Sequence, residues 1–141
     1  MTPDRWPYIL QLKDAGTQSY ARGEVGAAVH LYQEALDEVG NILQSSMGAK
    51  ASLDTRAVAA LFSNLSLCHV ILEKYDLALV EAEAAIELEP LWAKGHYRRG
   101  SALLAAGERN HSINSLRRAC ELEPENNEMR VKLAEALEQA R

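Results

Sequence analysis

The tetrapeptide Glu-Leu-Glu-Pro occurs twice in this chain, at Glu87–Pro90 and at Glu121–Pro124, an offset of 34 residues. A fixed period in this range marks chains built from stacked, self-similar units. The segment from the first echo to Gly100, ELEPLWAKGHYRRG, joins the end of one expected helix to the start of the next. It also carries Lys94, Arg98 and Arg99, three cations in a chain of formal net charge −5.

Windows of 34 residues aligned on the two echoes start at Ala59 and Ala93, and a third copy starts at Ile9. The eighth position is Gly16, Ser66 and Gly100, small residues that let two helices approach closely. The twentieth is Ala28, Ala78 and Ser112, the twenty-fourth Tyr32, Ala82 and Leu116, and the twenty-seventh Ala35, Ala85 and Ala119. The first copy starts 50 residues before the second, which is 16 more than the period. Those extra residues lengthen a helix and form the polar segment QSSMGAKASL.

Apolar spacing and Gly/Pro punctuation predict seven helices and no strand. They run over about Ile9–Arg22, Val25–Leu43, Thr55–Leu72, Asp76–Leu88, Trp92–Ala106, Asn110–Leu122 and Asn127–Ala140. Pro7 suits the first turn of the first helix, Gly23 closes it, and Asp54 or Thr55 caps the third. On the last helix Met129, Leu133, Ala136 and Ala140 share a stripe opposite Arg130, Lys132, Glu135 and Glu138. Hydrophobic residues make up 48% and aromatics only 6%, which favours close-packed helices over a β-sandwich. Helix pairs of this size bury their apolar faces only by stacking.

Several function classes are excluded. The acidic balance opposes nucleic-acid binding, which needs a basic face. No apolar run approaches a membrane span, and the N-terminus MTPDRWPYIL lacks a signal-peptide pattern, so a cytoplasmic protein is expected. Cys68 and Cys120 form no CxxC and read as small core residues. His30, His69, His96 and His111 have no ligand spacing, so no metal or other cofactor is expected. No phosphate loop or nucleophile motif occurs, and the chain is not expected to be an enzyme.

This pattern resembles the tetratricopeptide repeat, a helix–turn–helix of 34 residues. The resemblance implies an all-α right-handed superhelix of three such units with a C-terminal capping helix. It assigns one domain over residues 1–141: repeats at about 9–44, 55–90 and 91–124, an inserted loop at about 45–54, and the capping helix at about 126–140. The extension after the first repeat is similar to that of the large immunophilins. In such a stack the first helix of each pair lines a concave groove.

The groove residues resemble the carboxylate clamp of chaperone-binding family members. Lys13, Asn64, Lys94 and Arg98 fall on four clamp slots, while Thr17 stands where the pattern has asparagine. Tyr20, Leu67, Tyr97 and Ser101 are further candidate groove contacts, and Arg99 falls on an outer edge. The ligand implied is the C-terminal Glu-Glu-Val-Asp tail of cytosolic heat shock protein 90 or heat shock protein 70. Its last residue carries two carboxylates, which lysines and an arginine neutralise through charge-assisted hydrogen bonds. The function implied is a monomeric, non-enzymatic co-chaperone adaptor, with any catalytic domain left to a longer parent chain. Two readings stand beside it: a repeat scaffold for another protein partner, and a self-association module.

Overall fold

The computed structural model describes residues 5–45 and 53–139. Most of the predicted inserted loop, and Ala140 of the predicted last stripe, lie outside the described residues. Within them the chain forms seven helices and no strand: α1 (Trp6–Ala21), α2 (Val25–Ser45), α3 (Thr55–Ile71), α4 (Tyr75–Leu88), α5 (Ala93–Ala105), α6 (Arg109–Leu122) and α7 (Asn127–Gln139). Pro7 sits in the first turn of α1, and the Asp54 carboxylate caps α3 by accepting from the Ala57 N–H at 3.0 Å. The extra residues lengthen α2 to 21 residues, against 14 in α4 and in α6.

Each odd-numbered helix packs most extensively on the helix that follows it, giving the pairs α1/α2, α3/α4 and α5/α6. The second helix of each pair then packs on the first helix of the next unit, and α6 packs on α7. Helices α3, α5 and α7 therefore lie side by side in one layer.

The eighth window position governs how closely each pair closes. A Cβ on Gly16 would stand 2.6 Å from Tyr32 Cε1, and one on Gly100 would stand 2.6 Å from Leu116 Cγ. Both distances are far inside van der Waals contact, so glycine is required wherever the facing residue is large. In the middle pair the corresponding window positions hold the small residues Ser66 and Ala82, both fully buried. Hydroxyls reinforce the same contact: Ser66 Oγ donates to the Ala78 carbonyl at 2.8 Å, and Ser112 Oγ donates to the Gly100 carbonyl at 3.0 Å. Each satisfies a buried polar group across the helix pair.

The turn inside each pair also repeats atom by atom. Glu24 N–H donates to Ser19 O, Lys74 N–H to His69 O, and Glu108 N–H to Leu103 O. One residue earlier, Gly23, Glu73 and Gly107 donate to Tyr20, Val70 and Leu104. This double bond pattern is the Schellman helix stop, which needs a left-handed residue at its centre. Gly23 and Gly107 supply it at φ 82° and 88°, but the middle copy places Glu73 there at φ 60°. Glutamate has a Cβ that disfavours this conformation.

The joint between the second and third units is tied from outside. The Arg56 guanidinium lies 4.9 Å from the Trp92 ring centre, and Thr55 Oγ1 donates to Glu89 at 2.9 Å. Apolar burial gathers into one cluster on α1, α2 and α3 and another on α5, α6 and α7. Between them α4 contributes the fully buried alanines Ala78, Ala82 and Ala85. Cys68 is buried within the first cluster, and Cys120 packs half-buried against the second.

Three substitutions test this packing by thermal unfolding. Glu73→Gly removes the left-handed penalty and is expected to stabilise the fold by roughly 0.5–1 kcal/mol, after the greater freedom of glycine in the unfolded chain is subtracted. Gly100→Ala is expected to destabilise by about 1–3 kcal/mol through overpacking. Gly40→Ala in α2, where nothing lies within 4 Å of the new methyl, should be neutral or stabilising.

Candidate functional site

The predicted site residues come from three helices. Lys13, Thr17 and Tyr20 are on α1, Asn64 and Leu67 on α3, and Lys94, Tyr97, Arg98 and Ser101 on α5. Arg98 is the one with the most contacts to other elements. Its Nε donates to Ser63 Oγ at 3.1 Å, tying α5 to the residue that precedes Asn64. Its guanidinium lies 5.7 Å from the Tyr97 ring centre. Burial pulls the guanidinium below its ordinary value, while Tyr97, Glu128 and Tyr20 favour its charged form. An arginine stays protonated through a shift of this kind, so Arg98 is a partly desolvated cation. Neither of its terminal nitrogens has a hydrogen bond or ion pair among the described residues, which leaves a two-pronged donor for a carboxylate.

Lys94 is exposed, and Lys13 and Asn64 are half-buried. No hydrogen bond or ion pair among the described residues joins these three to one another. Arg99 behaves as the sequence implies for an edge residue: it donates to Ser115 Oγ on α6 at 2.6 Å and lies 3.7 Å from Glu83 on α4. Both partners belong to second helices of their pairs, away from Arg98's partners on α3.

Thr17 is held within its own helix pair. Its hydroxyl lies 3.1 Å from the Lys13 carbonyl and 3.0 Å from the Tyr32 hydroxyl. A ligand contact through Thr17 therefore competes with Tyr32. Tyr97 is 6% exposed, and its hydroxyl donates to Glu128 on α7 at 3.1 Å, so it serves as packing beneath Arg98 rather than as an open groove surface. Burial pushes the Tyr97 phenol up, and the Glu128 carboxylate adds to that shift. The Ser101 hydroxyl is buried beside it.

Leu67, Tyr97, Arg98 and Ser101 line a cavity of about 330 Å³ whose far wall is α7, through Glu128 and Lys132. The sequence places Ser63 on the inward face of α3 without showing its partner, and sequence reasoning missed Glu128 and Lys132 as parts of this region. Ser63 sits beside Asn64 in the phrase LFSNLS, but only the position of α5 shows that it holds an arginine. A second missed feature is the buried pair of His69 Nδ1 and Glu81 Oε1, 2.6 Å apart across α3 and α4. Burial pushes the Glu81 carboxyl up, and the His69 contact opposes that shift. Its signal was present: His69 continues the Leu61–Leu65 stripe at a spacing of four.

Among the described residues no three His, Cys, Asp or Glu side chains are grouped to hold a metal, and no helix is long and apolar enough to cross a membrane. What the described residues offer is Arg98, a cation whose terminal nitrogens carry no hydrogen bond or ion pair among them.

Residues 93–126 match the family model of the tetratricopeptide repeat, the same span as the third sequence window. The fold is that of tetratricopeptide-repeat superhelices. It superposes on the first such domain of Spaghetti (RPAP3) bound to the HSP90 peptide SRMEEVD, with a TM-score of 0.76, 23% identity and 94% of each chain covered. In sequence the chain is 36% identical over 76 residues to the Hsp70-Hsp90 organizing protein of Triticum aestivum, covering 54% of this chain and 13% of that protein. It is 28% identical over 124 residues to serine/threonine-protein phosphatase T of Aspergillus oryzae, covering 88% of this chain and 23% of that one. The chain thus spans less than a quarter of either curated relative.

Ser63→Ala should leave the buried Nε of Arg98 without its acceptor. The expected loss is about 1–3 kcal/mol of stability, read by urea unfolding, with Ser63→Thr closer to the native value.

Proposed function

We propose that this chain is a peptide-binding adaptor module of the co-chaperone type, and that its groove holds the acidic C-terminal tail of heat shock protein 90 or heat shock protein 70. Lys13, Asn64, Lys94 and Arg98 form the clamp. The observation that carries the reading is Arg98: a partly desolvated guanidinium fixed through Nε by Ser63, with no hydrogen bond or ion pair at either terminal nitrogen among the described residues. Water is a weak competitor in such a setting, and a carboxylate gains a bidentate, charge-assisted contact. Lys13 and Lys94 add charge, and Asn64 supplies an amide for the peptide backbone or a carboxylate.

The tail-binding neighbour and the chaperone-organising relative support the choice of ligand. On this reading the module's work is recruitment: it brings whatever it is joined to onto a chaperone in the cytoplasm. Thr17 spends its hydroxyl on Lys13 and Tyr32, so the clamp relies on four side chains.

Calorimetric titration with a peptide ending in Met-Glu-Glu-Val-Asp tests the reading. The free acid should bind, and amidation of its C-terminus should weaken binding by about ten-fold or more, since a charged hydrogen-bonding partner is lost. Lys94→Ala and Arg98→Ala should each weaken it similarly, and added salt should weaken native binding. Binding that survives amidation unchanged would sink the proposal.

A further inference from the structure

The cavity between α3, α5 and α7 has walls of opposite character. Arg98 stands on the α5 wall, while α7 brings Glu128, Lys132 and Glu135 to the other. Lys132 Nζ lies 3.5 Å from Glu135 Oε2, so those two charges offset each other. Glu128 is different. Its partner among the described residues is the neutral Tyr97 hydroxyl, at 3.1 Å. In the free chain the charge that acts against Glu128 across the cavity is Arg98; with Arg98 engaged by the ligand's carboxylates, Glu128 is the carboxylate left without a counter-charge. The cavity floor is apolar, built from Leu67, Val70, Leu104 and Ala105.

An apolar floor with a single carboxylate at its rim matches one kind of side chain: a long aliphatic stem ending in a cation. A purely aliphatic side chain uses the floor and leaves Glu128 unanswered. With Arg98 engaged and Glu135 offset by Lys132, an acidic side chain meets the charge of Glu128 and is repelled. Arg98 stands close enough to oppose a cation, but in the tail-bound state its charge is engaged by the ligand's terminal carboxylates.

We propose that this cavity is a subsite for a basic residue lying upstream of the ligand's acidic terminus, with the stem over Leu67 and Leu104 and the head paired to Glu128. The inference rests on the tail-binding reading and adds a selection to it. Acidic termini preceded by arginine or lysine are favoured over those preceded by neutral or acidic residues. Lys132 and Glu135 hold the rim of the cavity without contributing net charge.

The test uses three peptides, Ser-Arg-Met-Glu-Glu-Val-Asp and its variants with Ala or Glu in place of Arg, titrated into the native chain, Glu128→Gln and Tyr97→Phe. Gln retains an oxygen acceptor for Tyr97 while removing the charge. Phe removes the same hydrogen bond while keeping the carboxylate. In the native chain the Arg peptide should bind about three- to five-fold more tightly than the Ala peptide, the range of a solvent-accessible ion pair. The Glu peptide should bind weakest. The preference should fall below about two-fold in Glu128→Gln and persist in Tyr97→Phe. Equal native binding of all three peptides, or a preference that survives Glu128→Gln, overturns the subsite and leaves the clamp standing. If none of the three binds, both fall.

Discussion

The fold depends on how closely two helices of a pair can approach at one recurring position. Gly16 against Tyr32 and Gly100 against Leu116 solve the steric problem one way, and the buried small residues Ser66 and Ala82 at the same two positions of the middle pair solve it another. In the outer pairs the first helix surrenders its side chain, and the second fills the space with a ring or a leucine. In the middle pair both partners are small. The volume at the contact is shared out differently in each copy, yet the helices meet in the same register. Neighbouring units can then repeat their mutual contacts, and the first helices can be brought side by side.

That side-by-side layer is what makes Arg98 unusual. A long cation on an isolated helix would extend into water. Here α3 supplies a buried hydroxyl, α5 supplies the Tyr97 ring, and Tyr20 of α1 and Glu128 of α7 both act on its charge. Helical layers of this kind convert a flexible side chain into a fixed donor, because each neighbour removes part of its freedom before any ligand arrives. The entropy of ordering Arg98 is thus spent during folding rather than during binding.

The helices were legible in the sequence because glycine and proline mark their ends. Boundaries moved by at most three residues, the largest shift being the start of α1 at Trp6, where Pro7 is tolerated in the first turn. The pairing was legible because small residues recur in phase. The cationic residues of the proposed site could be placed on their helices for the same reason. Their partners could not be read. Ser63 and Arg98 are far apart in sequence, and no local pattern says that one serine will face an arginine. Thr17 looked like a groove donor because it falls on a clamp slot of the repeat, but its hydroxyl lies 3.0 Å from that of Tyr32 on α2. Glu73 was hidden for a different reason. It breaks the glycine rule of its own turn, so the fold's demand for a left-handed residue shows only in the backbone.

The apolar interior forms two clusters, one on α1–α3 and one on α5–α7, with the alanines of α4 between them. The side chains proposed to hold a ligand are divided across this boundary. Lys13 and Asn64 stand on one side, Lys94 and Arg98 on the other. A peptide held in the proposed way would act as a staple across the boundary between the two clusters. Binding and folding are then linked: the occupied groove resists opening at the seam, and the chain's resistance to unfolding rises with the concentration of its partner.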